Sequence, residues 1–132
     1  MAPASPFDAG SGRMDLVAAV RAGLLLPEST DRYYQADPAD YFFAETGGDP
    51  SQLNLASMAH GEIVDTWTFR RAVKNVTLLT THWTVDWTAP EGVGLNVHPE
   101  QFTLEPGLTQ ELEVTADCSQ LPLEEWRFGE MN

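Results

Sequence analysis

Two neighbouring stretches of this chain alternate in character with a period of two, and that alternation limits the available folds more than any other feature. Within 66–76, Trp67, Phe69, Arg71 and Val73 fall on one side. Within 79–87, Leu79, Thr81, Trp83, Val85 and Trp87 fall on one side, against His82, Thr84 and Asp86 on the other. Successive side chains of an extended strand point to opposite faces, so both stretches predict half-buried antiparallel strands.

Turn signals follow at Ala89-Pro90-Glu91-Gly92, at Val97-His98-Pro99 and at Glu105-Pro106-Gly107. They separate shorter strands predicted at 93–97, 101–104 and 108–115. In the last of these, Leu108, Leu112 and Val114 face one way, and Thr109, Glu111, Glu113 and Thr115 the other. A final strand is expected from Glu125, with Trp126 and Phe128 alternating with Arg127 and Gly129, running to Asn132 without a closing partner. That leaves an unpaired edge through which copies of the chain could associate. Short strands punctuated by turns predict an all-β fold, an immunoglobulin or fibronectin type III-like β-sandwich of about seven strands. Pro90, Pro99 and Pro106 cannot donate to a ladder and mark strand ends, and Gly92 and Gly107 sit where turns need unrestricted φ.

Upstream, the pattern changes. Residues 1–12 are rich in Pro, Ala, Ser and Gly and read as an extended lead-in. Over 14–24, Met14, Val17, Val20 and Leu24 recur at helical spacing, with Asp15 as a start signal and Gly23 as a stop. A helix this short depends on something covering its apolar face. Residues 27–50 form a loop-rich connector whose Tyr33, Tyr34, Tyr41, Phe42 and Phe43 are expected to pack on something. The expected organisation is 1–27 with the short helix, 28–52 as connector and 53–132 as the sandwich.

With Asp+Glu 20 against Lys+Arg 7 and a net charge of -13, the chain repels nucleic-acid backbones and anionic membranes, so neither is expected as a partner. The acidic stretch of Asp37, Asp40, Glu45 and Asp49 does not follow an EF-hand pattern. Cys118 is the single cysteine, which excludes an intrachain disulfide and a cysteine zinc site. It follows a predicted strand, where an incidental thiol is the expected reading. His60, His82 and His98 fall on separate segments, so a hydrolytic triad or a three-histidine metal site would need long-range convergence. Glu124 and Glu125 are adjacent, and in a strand they point apart. No stretch is apolar for long enough to span a membrane, and the N-terminus lacks the basic start and apolar run of an export signal. The expectation is therefore a chain with no catalytic, cofactor-binding or metal-binding residues.

Arg71 lies on the apolar side of its strand, where a guanidinium must find carbonyl or carboxylate partners, and a structural hydrogen-bonding hub is expected. Trp67, Trp83 and Trp87 are expected in the core, although with Trp126 they could form a carbohydrate-stacking platform. Asn75-Val76-Thr77 is an N-glycosylation sequon.

In order along the chain, Leu53-Asn54-Leu55-Ala56-Ser57, Arg71-Ala72-Val73-Lys74-Asn75-Val76 and Ala89-Pro90-Glu91-Gly92-Val93 resemble the fibronectin type III-like domain that follows the catalytic domain of subtilases. The pattern there is similar to Leu-Asn-(Leu/Tyr)-Pro-Ser, Arg-Thr-Val-Thr-Asn-Val and Ala-Pro-x-Gly-Val. Val97-His98-Pro99, Leu104-Glu105-Pro106-Gly107 and the segment from Trp126 to Met131 continue it, and residues 4–13 resemble the stretch after the catalytic-serine helix. Ala56 stands in place of a proline, Ala72 and Lys74 in place of threonines, and the last strand of the family is missing. The resemblance implies a non-catalytic C-terminal accessory domain of a secreted or extracellular subtilisin-like serine protease, partnered by the catalytic domain of its own parent. An autonomous extracellular module that binds protein or carbohydrate is the alternative, and an independent hydrolase the third reading.

Overall fold

The computed structural model describes residues 15–39, 48–121 and 126–132. Its centre is a pair of long antiparallel strands, β2 (Thr66–Asn75) and β7 (Thr109–Asp117), in register from Thr66 opposite Asp117 to Lys74 opposite Thr109. The alternation read from the sequence sets their inner faces. Phe69, Arg71, Val73 and Asn75 of β2 are buried, as are Leu112, Val114 and Ala116 of β7. Phe69 lies opposite Val114 and Arg71 opposite Leu112, so the two inner rows meet across the ladder.

Two further strands complete this sheet. β1 (Leu24–Leu25) flanks β2 and β5 (Gly94–His98) flanks β7, giving the order β1-β2-β7-β5. The remaining strands form two short pairs, β3 (Thr81–Thr84) with β6 (Gln101–Leu104), and β4 (Trp87–Thr88) with β8 (Glu130–Met131). Phe69, Val85, Val97 and Val114 form the core, with Met58, Trp67, Trp87, Leu95, Phe102 and Met131 packed against it. Each fully buried aliphatic or phenyl group of this kind contributes roughly 1.5–3 kcal/mol. The sandwich expectation holds.

Several boundaries differ from those read in the sequence. The stretch 79–87 is divided between β3 and β4 because its hydrogen-bond partner changes. Val85 N donates to Glu100 O at 2.8 Å, and Asp86 then exchanges two backbone bonds with Asn132. The backbone stays extended, so inward and outward positions still alternate through the switch. Leu79 precedes β3 and is exposed, and Leu108 precedes β7 and is exposed although Leu112 and Val114 face inward. The last strand begins at Glu130; Trp126 and Phe128 precede it and are about half exposed, while Glu124 and Glu125 lie outside the described residues. That strand is paired with β4 on one side and carries no strand on its other side among the described residues.

The helix predicted over 14–24 is shorter. Helix α1 (Leu16–Val20) starts at Asp15, whose carboxylate accepts from Val17 N and Ala18 N at 2.9 and 3.0 Å. It ends early because Leu24 and Leu25 pair with Asn75 and Lys74, and a sheet ladder outcompetes one more turn of a marginal helix. Met14 lies outside the described residues. The connector contains a helix that the sequence reading did not expect, α2 (Thr30–Gln35), capped by the Ser29 hydroxyl on Arg32 N. Tyr33 and Tyr34 are about half exposed, while Asp40, Tyr41, Phe42, Phe43 and Glu45 lie outside the described residues.

Candidate functional site

Among the described residues the buried polar side chains are Asn54, Arg71 and Asn75, which are 2%, 4% and 0% exposed. Burying such groups without partners costs several kcal/mol, so their hydrogen bonds identify what they hold together. Arg71 projects from the inner face of β2. Its Nε donates to Leu55 O at 2.8 Å, Nη1 to Arg70 O at 2.7 Å, and Nη2 to Ser51 O and Ser57 O at 3.1 Å each. The guanidinium thereby ties segment 51–57 to the sheet, and its carbon lies 5.8 Å from the Phe69 ring centre. The expected hub is present. Burial lowers the pKa of Arg71, the Arg32 charge lowers it further and Glu28 opposes the shift. The group remains charged, since a guanidinium starts too high to lose its proton here.

Asn54 works beside it. Its Oδ1 accepts from Ala72 N at 2.7 Å and its Nδ2 donates to Ala72 O at 2.8 Å and to Pro27 O at 2.7 Å. Gln52 repeats the device one step along, donating from Nε2 to Thr68 O at 3.1 Å and accepting from Arg70 N at 3.3 Å. β7 occupies one edge of β2. Gln52, Asn54 and then β1 cover the other, so two amide side chains substitute for a neighbouring strand.

Glu28 completes this clamp. Its side chain is nearly buried, accepts from Asn54 N at 2.6 Å and Ser29 N at 2.7 Å, and lies 3.5 Å from Arg32 Nε. Arg32 in turn donates to Gln52 O at 2.7 Å. Burial pushes the Glu28 carboxyl up, but the hydrogen bonds from Asn54 and Ser29 and the charges of Arg32 and Arg71 outweigh it and hold the pKa below the ordinary value.

Asn75 organises the far end of β2. Its Nδ2 donates to Leu79 O at 2.9 Å and Leu104 O at 2.8 Å, and its Oδ1 accepts from Thr77 N and Thr77 Oγ1, both at 2.8 Å. Its backbone N donates to Leu108 O and its backbone O accepts from Gly107 N. Gly107 and Gly92 both take φ of 77°, as turns at these points require.

The residues weighed for chemistry do not converge. His60 packs against Trp67 with ring centres 4.0 Å apart and planes tilted by 42°, His82 Nδ1 lies 2.7 Å from Thr103 Oγ1 on β6, and His98 lies on β5 opposite Glu113. Burial, and then the neighbouring Asp117 charge, push the Cys118 thiol pKa up, which disfavours the nucleophilic thiolate. Trp67 and Trp87 pack against the core, and Trp83 is partly buried with its Nε1 donating to Thr81 Oγ1. They do not form an exposed stacking surface. A hollow of about 350 Å³ lies where β3 gives way to β4, lined by Thr84, Val85, Asp86, Trp87, Glu100 and Gln101. No group of three or more His, Cys, Asp or Glu side chains suited to a metal ion occurs among the described residues, and no helix among them is long and apolar enough to cross a membrane.

The site is thus a structural clamp with an apolar end. Segment 76–79 is tied to the stretch between α1 and β1, because Val76 N donates to Gly23 O at 3.0 Å. Leu16, Val17 and Val20 on α1, and Val76, Leu78 and Leu79 beyond β2, are all exposed, Val20 to 88% and Leu78 to 93%. Of the clamp residues, Arg71 was evident from its place in an apolar row. Asn54 and Asn75 stood in the quoted motifs without an assigned role, and Glu28 carries no signal of its own in a connector rich in acids.

The fibronectin type-III domain family model matches residues 52–132. Among curated proteins, the chain is 29% identical over 130 residues to the Arabidopsis thaliana subtilisin-like protease SBT2.1, with 85% of this chain and 15% of that protein covered. It is 30% identical over 126 residues to SBT2.3 of the same plant, with the same coverage, and 25% identical over 142 residues to SBT2.4, covering 98% of this chain and 17% of the relative. The chain therefore spans about one sixth of the length of these relatives.

Proposed function

This chain belongs to the fibronectin type-III domain family, in the form carried by the C-terminal region of subtilisin-like proteases, and on that premise we propose that it is a non-catalytic accessory domain of a secreted subtilisin-like serine endopeptidase. Its role is to pack against the catalytic domain of its own parent, stabilising it or shaping access of substrate. The observation that carries this reading is the apolar end formed by α1 and segment 76–79, joined to a sheet whose entering polypeptide is held by Glu28, Asn54 and Arg71. Large exposed apolar side chains gathered at one end of a domain mark a candidate interaction surface. In this reading residues 1–27 belong to the end of the protease portion, 28–52 connect, and 53–132 form the accessory domain.

The net charge of -13 supports a domain without nucleic-acid or anionic-membrane partners. Self-association would use an edge strand whose outer side carries no strand among the described residues, such as β8 or β5.

The test is made on the full-length parent. Leu78→Asp with Leu79→Asp should lower its thermal inactivation midpoint or its kcat/KM on extended substrates, while the isolated sandwich keeps its own melting temperature. A parent unaffected in both properties contradicts the reading.

A further inference from the structure

The triplet Asn75-Val76-Thr77 has the sequence of an N-glycan acceptor, and such acceptors ordinarily stand on surface loops. Here the acceptor side chain is 0% exposed. Its Nδ2 carries two hydrogens, and both are used, one on Leu79 O at 2.9 Å and one on Leu104 O at 2.8 Å. The Thr77 hydroxyl is engaged too: it lies 2.8 Å from Asn75 Oδ1 and 2.9 Å from Leu79 O, and accepts from Leu79 N at 3.3 Å. Both groups that define the acceptor are therefore parts of the corner that joins β2 to β3 and β6.

We propose that Asn75 is a glycan acceptor gated by folding: oligosaccharide transfer and closure of this corner compete for the same nitrogen, so the folded domain refuses the glycan and a glycan on Asn75 prevents the domain from closing. This use rests on the reading of the parent as a secreted protein. In the transfer, the bond between the sugar C1 and a phosphate oxygen of a lipid-diphosphate-linked oligosaccharide breaks, and a C1–Nδ2 bond forms. One Nδ2 proton leaves to a base, and the lipid diphosphate departs with the electron pair. The modified nitrogen keeps one hydrogen for two carbonyls. The sugar would also stand where a fully buried side chain has no solvent beside it. A closed corner is reopened only by global or local unfolding, whose population is small in a stable domain.

The experiment offers full-length chains to microsomal oligosaccharyl transferase with its lipid-linked donor and reads occupancy as a glycosidase-sensitive mass shift. The natural chain, folded and purified, is compared with Val97→Asp, which places a carboxylate where Val97 is 1% exposed and thereby holds the chain open. Occupancy at Asn75 should be at least about tenfold higher in Val97→Asp, following the larger open population, and should vanish when Asn75→Gln is added. Equal occupancy in the folded natural chain, with its near-ultraviolet dichroism intact, overturns the gate. Absence of glycan from Val97→Asp overturns the acceptor assignment. Both results are read in vitro, so they are separate from the question of export, which detection of the parent in culture medium decides.

Discussion

Asn54 and Ala72 are joined as two paired strand residues would be, with Asn54 Oδ1 accepting from Ala72 N at 2.7 Å and Nδ2 donating to Ala72 O at 2.8 Å. A side-chain amide can do this because its carbonyl oxygen and one of its N–H groups lie on the same side and can meet the N–H and C=O of one strand residue together. The edge of β2 is therefore closed by the side chains of Gln52 and Asn54, and the segment that carries them is held by the sheet.

Asn54→Ala should destabilise the domain by about 2–4 kcal/mol, since it leaves Ala72 N, Ala72 O and Pro27 O without their partner in a buried place. Urea unfolding followed by tryptophan fluorescence measures the loss. Asn54→Asp should cost more, because a carboxylate can accept from Ala72 N but cannot donate to the two carbonyls.

Arg71→Lys should be nearly as damaging as Arg71→Met, with each losing about 2–4 kcal/mol. The bonds to Leu55, Ser51, Ser57 and Arg70 need a planar fork whose nitrogens diverge, and a lysine ammonium delivers its hydrogens from one point. A lysine variant of unchanged stability in thermal melts would show that the charge matters and the fork does not.

Glu28 makes stability depend on pH with a definite sign. Its folded-state pKa lies below the ordinary carboxylate value: burial raises it, but bonds from Asn54 and Ser29 and the Arg32 and Arg71 charges prevail. A group depressed on folding stabilises the fold above its unfolded pKa, and the contribution is lost as pH falls through the folded pKa. Unfolding free energies measured from neutral to acidic pH should therefore fall more steeply for the natural chain than for Glu28→Gln.

Cys118 should react slowly with a disulfide reagent. Its thiol pKa is raised by burial and by Asp117, so less thiolate is present at a given pH than in free cysteine. The rate of reaction against pH in the folded chain, compared with the urea-unfolded chain, checks this directly.

The sandwich was legible because its strands carry one wet face and one dry face, and the inward rows of β2 and β7 follow from that pattern alone. Strand ends were less legible. Leu24 fits a helical stripe as well as a strand, and only the open edge of β2 decides between them. The division at Val85 leaves no trace in the alternation, because changing a hydrogen-bond partner does not change which way side chains point. Helix α2 carries a readable start in Ser29 followed by Asp31, but its polar composition offers no apolar stripe. The buried asparagines lie within motifs that were visible, yet their burial depends on carbonyls distant in sequence: Pro27 and Ala72 for Asn54, Leu104 for Asn75.

Amide hydrogen exchange on the isolated chain and on the intact parent protease tests the accessory-domain account most directly. Backbone amides of α1 and of Leu78 should exchange quickly in the isolated chain and become protected in the parent, while those of β2 and β7 are protected in both. Equal exchange at α1 and Leu78 in the two proteins would contradict packing of this end against the catalytic domain.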